Sequence, residues 1–368
     1  MPIMKIIETT IYQFKIPMIP FTIATGTMEF AQNVLIQIKT DQGITGIGEC
    51  SAFPMIVGET QLSCYNNAKD FAQFWKGKDP LDIPQRMKEL DLVIAGNNTA
   101  KSAFDLALYD IAAKAANQPL YQFLGGQQKP IESDLTIGIG KPEEMAAQAV
   151  EFVEKGVRMI KVKLGKAPKE DVERIRQIRA AIGPTIQIRI DANQGWAKED
   201  ALEVLTQLAP YTIEFCEQPM HKYYDDYLPA LCAQSPVKIM ADESVFTHHD
   251  ARKLIANKAC HSINIKFSKS GGIQEAIKIH DIAKANNIPC MMGGMLESRV
   301  ALSAKMHFAM AMDNVHFYDM DTCLIGHTID PVIGGVEFNS MHLSIGETPG
   351  IGAEVDPAYL RNLESCTI

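Results

Sequence analysis

Three short apolar runs each end in an acid: TIQIRID at Asp191, TIEFCE at Glu217 and VKIMAD at Asp242. The acids recur about every 25 residues, as if one unit were repeated. Any one of them would read equally well as a helix N-cap or a surface charge. Three in register at the ends of consecutive strands read as one site. Carboxylates brought together repel and raise one another's pKa. A hard divalent cation relieves that, and oxygen donors suit Mg²⁺ or Mn²⁺. The preceding run, RMIKVKLG, alternates Ile160, Val162 and Leu164 with Lys161 and Lys163. An inward-facing ammonium is costly unless paired, and an acidic, metal-bearing mouth would pair it. Lys266 ends the run after Asp242, two strands beyond Glu217, and is expected to face Lys163 across the opening. Mutual repulsion and the metal would lower the lysine pKa values toward the range a general base requires.

The elements that must position these groups follow from the pattern. Residues 1 to about 50 alternate polar and apolar, with hairpin glycines in TDQGITGIGE, and read as antiparallel strands. Two loops are expected beside them, at 16–32 and 49–60. Residues 61–124 read as helices. SAFDLALYDIAAKAA is apolar all round and is expected to be buried. From about 131, short apolar strands alternate with amphipathic helices: ESDLTIGI, VRMIKVKL, TIQIRID, TIEFCE, VKIMAD, HSINIK, IPCMMGG and VHFYDMD. That is the pattern of a (β/α)₇β barrel of the TIM type, with an α+β capping domain before it. A doubly wound dinucleotide-binding sheet would need a GxGxxG loop, and GIGIG at 138 lacks that spacing. The expected division is 1–125 for the cap, 126–325 for the barrel, and 326–368 for a tail whose hairpin, IDPVIGGVEF to HLSIGE, returns to the cap.

Composition narrows the function. The chain has 368 residues, 46% hydrophobic and 21% charged, with a net charge of −9 and no basic block, which argues against nucleic acid. No apolar run approaches the roughly 18 residues of a membrane span. The eight scattered cysteines contain no CxxC pair and suggest reduced thiols in a cytoplasmic protein.

Taken together, KVK, DANQGW, EQP, ADES and NIKFSKSGG resemble the enolase superfamily, in its muconate-lactonizing-enzyme subgroup, over nearly the whole chain. The resemblance implies that Asp191, Glu217 and Asp242 hold one Mg²⁺ per subunit. Lys163 and Lys266 would then be the acid/base pair on opposite faces of the substrate. Lys161 would stabilise the substrate carboxylate and tune Lys163, and Asn193 and Glu243 would support the ligands from behind. The implied chemistry is removal of an α-proton next to a carboxylate, with the enediolate stabilised by the metal. The seventh strand lacks the histidine of mandelate-racemase-like sites. At the end of the eighth strand, Asp319 and Asp321 resemble the Asp-x-Asp that holds the substrate ammonium in dipeptide epimerases of this subgroup. The resemblance therefore implies an isomerase acting on a small-molecule dipeptide, and a homo-oligomer. An o-succinylbenzoate synthase or muconate-type cycloisomerase stays open, as does a catalytically silent ligand-binding protein.

Thr136, Met295, Glu297 and Ser298, at the ends of strands one and seven, are expected to line the pocket, with Glu297 alternatively a helix-start charge. Epimerases acting on Ala-Glu resemble one another in an arginine on the first capping loop. Here neither loop has Lys or Arg. Their side chains include Met18, Ile19, Phe21, Ile23, Ala24, Met28, Phe53 and Ile56. Such a pocket favours Ala-Xaa dipeptides with small or hydrophobic Xaa over Ala-Glu, unless Arg299 or Lys269 supplies a cation.

Overall fold

The computed structural model describes residues 3–368. Its first element is a long antiparallel hairpin, Ile6–Ile23 with Gly26–Thr40, joined by a third strand, Thr45–Ser51. The hairpin continues through most of the expected first loop. Only its register breaks, between Pro17 and Phe21, where Pro17 and Pro20 offer no N–H to the ladder. Period-2 alternation holds on either side of the break and changes phase across it. It buries Met18, Phe21, Ile23 and Met28, while Ile19, expected in the pocket, is 64% exposed on the outer side. The second loop begins after Ser51 and contains a single helical turn, Pro54–Val57.

Three helices follow, Gln61–Trp75, Ile83–Val93 and Asn98–Ala115. The last is the apolar-all-round segment, and it is buried on nearly every side. It lies flush on the third strand because that strand offers glycines: a Cβ on Gly48 would meet the Ala103 carbonyl oxygen at 1.9 Å. On its other side Asp105 reaches the barrel, where its carboxylate accepts a hydrogen bond from the Ile273 N–H at 2.5 Å. That caps the helix Ile273–Ala285. Gly272 makes room, since a Cβ there would stand 2.2 Å from Asp105 Oδ2.

The barrel has eight parallel strands in sequence order: Leu135–Ile137, Met159–Lys163, Gln187–Asp191, Ile213–Glu217, Ile239–Ala241, Ser262–Ile265, Cys290–Gly293 and Val315–Asp319. Strands eight and one meet through the Asp134 N–H to the Tyr318 carbonyl at 3.2 Å. Lys163 pairs with Asp191 and Asp191 with Glu217, which puts these three at one level. Glu217 pairs with Met240, so Asp242 stands two residues higher. In the tail, Glu337–Asn339 and His342–Ser344 form a hairpin that joins Ile131–Glu132 at the barrel floor. Val332–Gly334 pairs instead with Ala353–Val355, and the chain end, Ser365–Thr367, adds to the first cap strand. No helix of the described residues is long and apolar enough to cross a membrane.

Burial pushes Asp105 up to about 8, against the backbone donors that favour its charge. The folded state then keeps a proton that the unfolded chain releases in the ordinary carboxylate range. This group's stabilisation is complete below that range and is lost as pH rises toward about 8. We expect metal-free protein to lose stability between about pH 5 and 8, and Asp105→Asn to remove part of that slope, up to about 1.4 kcal/mol per pH unit. Urea unfolding of both proteins across that range checks it; parallel slopes would refute the assignment.

Candidate active site

The lysines of the second strand point inward. Lys161 is wholly buried, and its Nζ lies 2.6 Å from Glu217 Oε2, 2.7 Å from Asp319 Oδ2 and 3.4 Å from Asp191 Oδ2. Lys163 Nζ lies 2.6 Å from Asp191 Oδ2. Lys266, just past the sixth strand, lies 3.0 Å from Asp242 Oδ2 and 3.8 Å from Glu217 Oε1. Ammonium groups therefore stand between the acids expected to converge. Among the described residues, the acids whose oxygens come within 4.8 Å of one another in a set of three are Asp134, Asp319 and Asp321.

This interleaving sets the charges. Burial alone would push Asp191 and Asp242 up. Lys163 and Lys161 outweigh it for Asp191, and Lys266 and Lys269 for Asp242, so both are held below the usual range. Glu217, with burial and Asp191 against it, is pushed up to about 7. Burial pulls the lysines down, but Asp319 and Glu217 hold Lys161 well above its ordinary value, and Asp242 and Glu217 do the same for Lys266. For Lys266 the expected lowering is thus reversed while these lysines themselves neutralise the acids.

The residues expected behind the ligands are in contact with them. The Asn193 backbone N–H donates to Asp191 Oδ1 at 2.9 Å, and its Nδ2 donates to Asp191 Oδ2 at 3.2 Å and to Glu243 Oε1 at 3.5 Å. Several buried oxygens here have no hydrogen-bond partner: Asn193 Oδ1, Glu217 Oε2, Asp242 Oδ2, Glu243 Oε2 and Asn264 Oδ1. The contacts of Glu217 Oε2 and Asp242 Oδ2 with lysine are ionic proximity rather than aligned hydrogen bonds. An all-oxygen, buried and under-satisfied donor set around Asp191, Glu217 and Asp242 fits a hard divalent cation.

At the eighth strand, Lys161 and the other lysines overcome burial and hold Asp319 at about 2. Asp321 accepts the Thr136 N–H at 2.7 Å, and burial with Asp319 pushes it up to about 7. Over the mouth lies the hairpin tip. The Ile139 N–H donates to the Thr22 carbonyl at 2.8 Å, and a Cβ on Gly138 would stand 3.2 Å from the Phe21 ring. Half-buried Ala24 reaches the turn after strand two, where a Cβ on Gly165 would be 3.1 Å from its methyl. Phe53 and Ile56 join Met18, Phe21, Ile23, Met28 and Met295 in the apolar cluster of the barrel.

Two expected lining residues are committed elsewhere. Glu297 is neither free nor a helix-start charge; it forms a buried ion pair with Lys305 and accepts the Met295 N–H at 2.5 Å. Ser298 caps the helix Arg299–Ala311 and donates its hydroxyl to Glu49 of the cap at 2.6 Å. The two alternative cations are also committed. Lys269 binds the Asp242 carboxylate and the Asn264 carbonyl, and Arg299 pairs with Asp330 and with three tail carbonyls.

Sequence reasoning missed Asn264, which donates to Glu217 Oε1 at 2.7 Å, and Arg189, which binds Asp134 at 2.9 Å and Glu214 at 2.7 Å. Each stands two residues before a recognised site residue, so carrying the period-2 rule one step down the strand would have found both. Lys269 follows the strand and had no such signal.

The comparisons agree with this geometry. Residues 6–125 match the mandelate racemase/muconate lactonizing enzyme N-terminal domain, and residues 144–359 match the enolase C-terminal domain-like family. The chain belongs to the enolase superfamily, in its mandelate racemase/muconate lactonizing enzyme branch, and is an isomerase. It is 42% identical to a D-Ala-D/L-Ala epimerase from Cytophaga hutchinsonii over 95% of both chains. It is 38% identical to a hydrophobic dipeptide epimerase from Enterococcus faecalis, over 90% of this chain and 94% of that one. The crystal structure of the dipeptide epimerase from Cytophaga hutchinsonii complexed with Mg and D-Ala-L-Val superposes with a TM-score of 0.97 at 41% identity, covering 99% of this chain and 100% of that one. Relatives of lower identity are named for Glu, Arg or Lys substrates.

Proposed function

We propose that this chain is a Mg²⁺-dependent dipeptide epimerase that inverts the α-carbon of the carboxyl-terminal residue, favouring Ala-Xaa with small or hydrophobic Xaa over Ala-Glu. The observation that carries the reading is the pair of buried lysines, Lys163 and Lys266, on the second and sixth strands of one mouth, each held against an acid. Asp191, Glu217 and Asp242 would hold the metal, with Mn²⁺ as a substitute. When bound, the cation supplies Lewis-acid stabilisation of the substrate carboxylate and takes over from the lysines the neutralisation of the acids. One lysine removes the α-proton from its face, and the C–H electron pair moves into the carboxylate as an enolate. The other lysine returns a proton to the opposite face. Asp319 and Asp321 hold the ammonium, which distinguishes a dipeptide from the ammonium-free substrates of the cycloisomerases. Lys161, ion-paired with both Glu217 and Asp319, fixes the spacing between the carboxylate and ammonium ends.

The side chain of the carboxyl-terminal residue meets the cap. Met18, Phe21, Ile23, Met28, Phe53 and Ile56 are buried and apolar, and Lys269 and Arg299 are both spent on other partners. A γ-carboxylate there would cost several kcal/mol, roughly the penalty for an unpaired buried charge. An aliphatic side chain gains about 1.5–3 kcal/mol by burial.

Three outcomes are expected. Asp191→Asn weakens Mg²⁺ binding in calorimetry and lowers turnover by orders of magnitude, and chelation abolishes activity until Mg²⁺ is restored; full activity in excess chelator would remove the metal from the reading. Lys266→Ala stops epimerisation yet leaves α-proton exchange with D₂O from one epimer only, as followed by NMR; equal residual exchange from both would mean that the lysines do not serve opposite faces. Ala-Val exceeds Ala-Glu in kcat/KM by about ten-fold or more, and a clear preference for Ala-Glu would overturn the specificity argument.

A further inference from the structure

Beside the first and eighth strands, three buried acids gather in the barrel interior. Asp134 precedes the first strand; Asp319 ends the eighth and Asp321 follows it. Their carboxylate oxygens lie within 4.8 Å of one another, and all three are buried. Each acid gives one oxygen to the protein. Asp319 Oδ2 accepts from Lys161, Asp321 Oδ2 from the Thr136 N–H, and Asp134 Oδ2 from Arg189. Arg189 itself packs against the paired rings of Phe215 and Phe317, 5.4 Å from each, which holds the guanidinium that binds Asp134. Asp134 Oδ1 is left fully buried with no hydrogen-bond partner. A buried acceptor without a donor is costly, and a native structure rarely leaves one without a use.

We infer that Asp134 is the third acceptor for the substrate ammonium, so that the site recognises a primary amine by all three of its N–H bonds. The inference rests on the dipeptide-epimerase reading above and extends it to a residue the Asp-x-Asp pattern does not contain. A primary ammonium has three donors and no acceptor, which suits three converging carboxylates, one of which, Asp134, has an oxygen that no protein donor reaches. Three oxygens no more than 4.8 Å apart leave a point no farther than about 2.8 Å from each (4.8/√3), within N–H···O range. The charges also favour the match. Three acids share two fixed cations, Lys161 and Arg189, and Arg189 is divided with Glu214, so a further positive charge relieves their repulsion.

The test is steady-state kinetics of the Mg²⁺-loaded enzyme with Ala-Val and with N-methyl-Ala-Val, which donates two N–H bonds instead of three. In the parent, N-methylation is expected to raise KM by about ten-fold, the value of one charge-assisted hydrogen bond. Asp134→Asn is expected to raise KM for Ala-Val by a similar factor, with a smaller fall in kcat, and to erase most of the N-methyl penalty. This is the behaviour of two changes that remove the same contact. Should Asp134→Asn fail to fold, Asp134→Glu keeps the charge opposite Arg189 while displacing the carboxylate by a methylene, and the same kinetics are expected of it. An N-methyl penalty of undiminished size in the folded variant, or an unchanged KM for Ala-Val, would overturn the inference and leave the epimerase reading intact. A parent enzyme that turns over no free-amino dipeptide would overturn that reading itself.

Discussion

One ammonium group, the Nζ of Lys161, organises the interior of this barrel. It is wholly buried and shared among Glu217, Asp319 and Asp191, which come from the fourth, eighth and third strands. Taking an ion out of water costs several kcal/mol, recovered only through close and well-placed counter-charges. Here the counter-charges are the acids that the proposed chemistry uses, so the packing of the closed barrel and the geometry of the site rest on one set of contacts. Lys163, Lys266 and Lys269 repeat the arrangement around the rest of the mouth. The result is an ionic lattice of alternating sign whose members are held by neighbouring strands. Its rigidity comes from the register of the sheet.

Much of this was legible in the sequence because barrel strands obey a rule of period two and end at one face. The strand-end acids and the alternation in RMIKVKLG were enough to turn both lysines inward. What alternation could not convey was how closely the lysines penetrate between the acids, or that Asp134, before the first strand, gathers with Asp319 and Asp321. Strand stagger determines that layering, and it appears only once neighbouring strands are paired: Glu217 opposite Met240 puts Asp242 a layer above its expected companions. Long-range capping was hidden for a similar reason. Nothing near Glu49 in the chain indicates that it accepts from the Ser298 and Ala301 N–H groups, more than two hundred residues away.

The cap was the least legible part. A stretch rich in Pro, Thr and Met reads as a loop by composition, yet residues 16–32 continue the hairpin, because one strand can tolerate prolines where its partner still supplies the ladder. That difference matters for the pocket. A strand sends alternate side chains to each face, so Ile19 is lost to the outer face while Met18 stays inside, and the register break returns Phe21 to the same side.

The cap is joined to the barrel through its third strand and its last helix, by Glu49 at Ser298, Ser51 at Ser268 and Asp105 at Ile273. The hairpin tip carries none of these side-chain attachments and meets the barrel through backbone hydrogen bonds, such as the Ile139 N–H to the Thr22 carbonyl, while the ionic lattice lies on other elements. Substrate range and catalytic competence are therefore separable under mutation. On the proposed reading, replacing the side chain of Met18, Phe21 or Met28 reshapes one wall of the pocket while the lysines and the side-chain contacts of Glu49, Ser51 and Asp105 stay as they are. A lineage built on this scaffold can thus drift from one dipeptide to another through a handful of hairpin positions, without first passing through an inactive or unfolded ancestor.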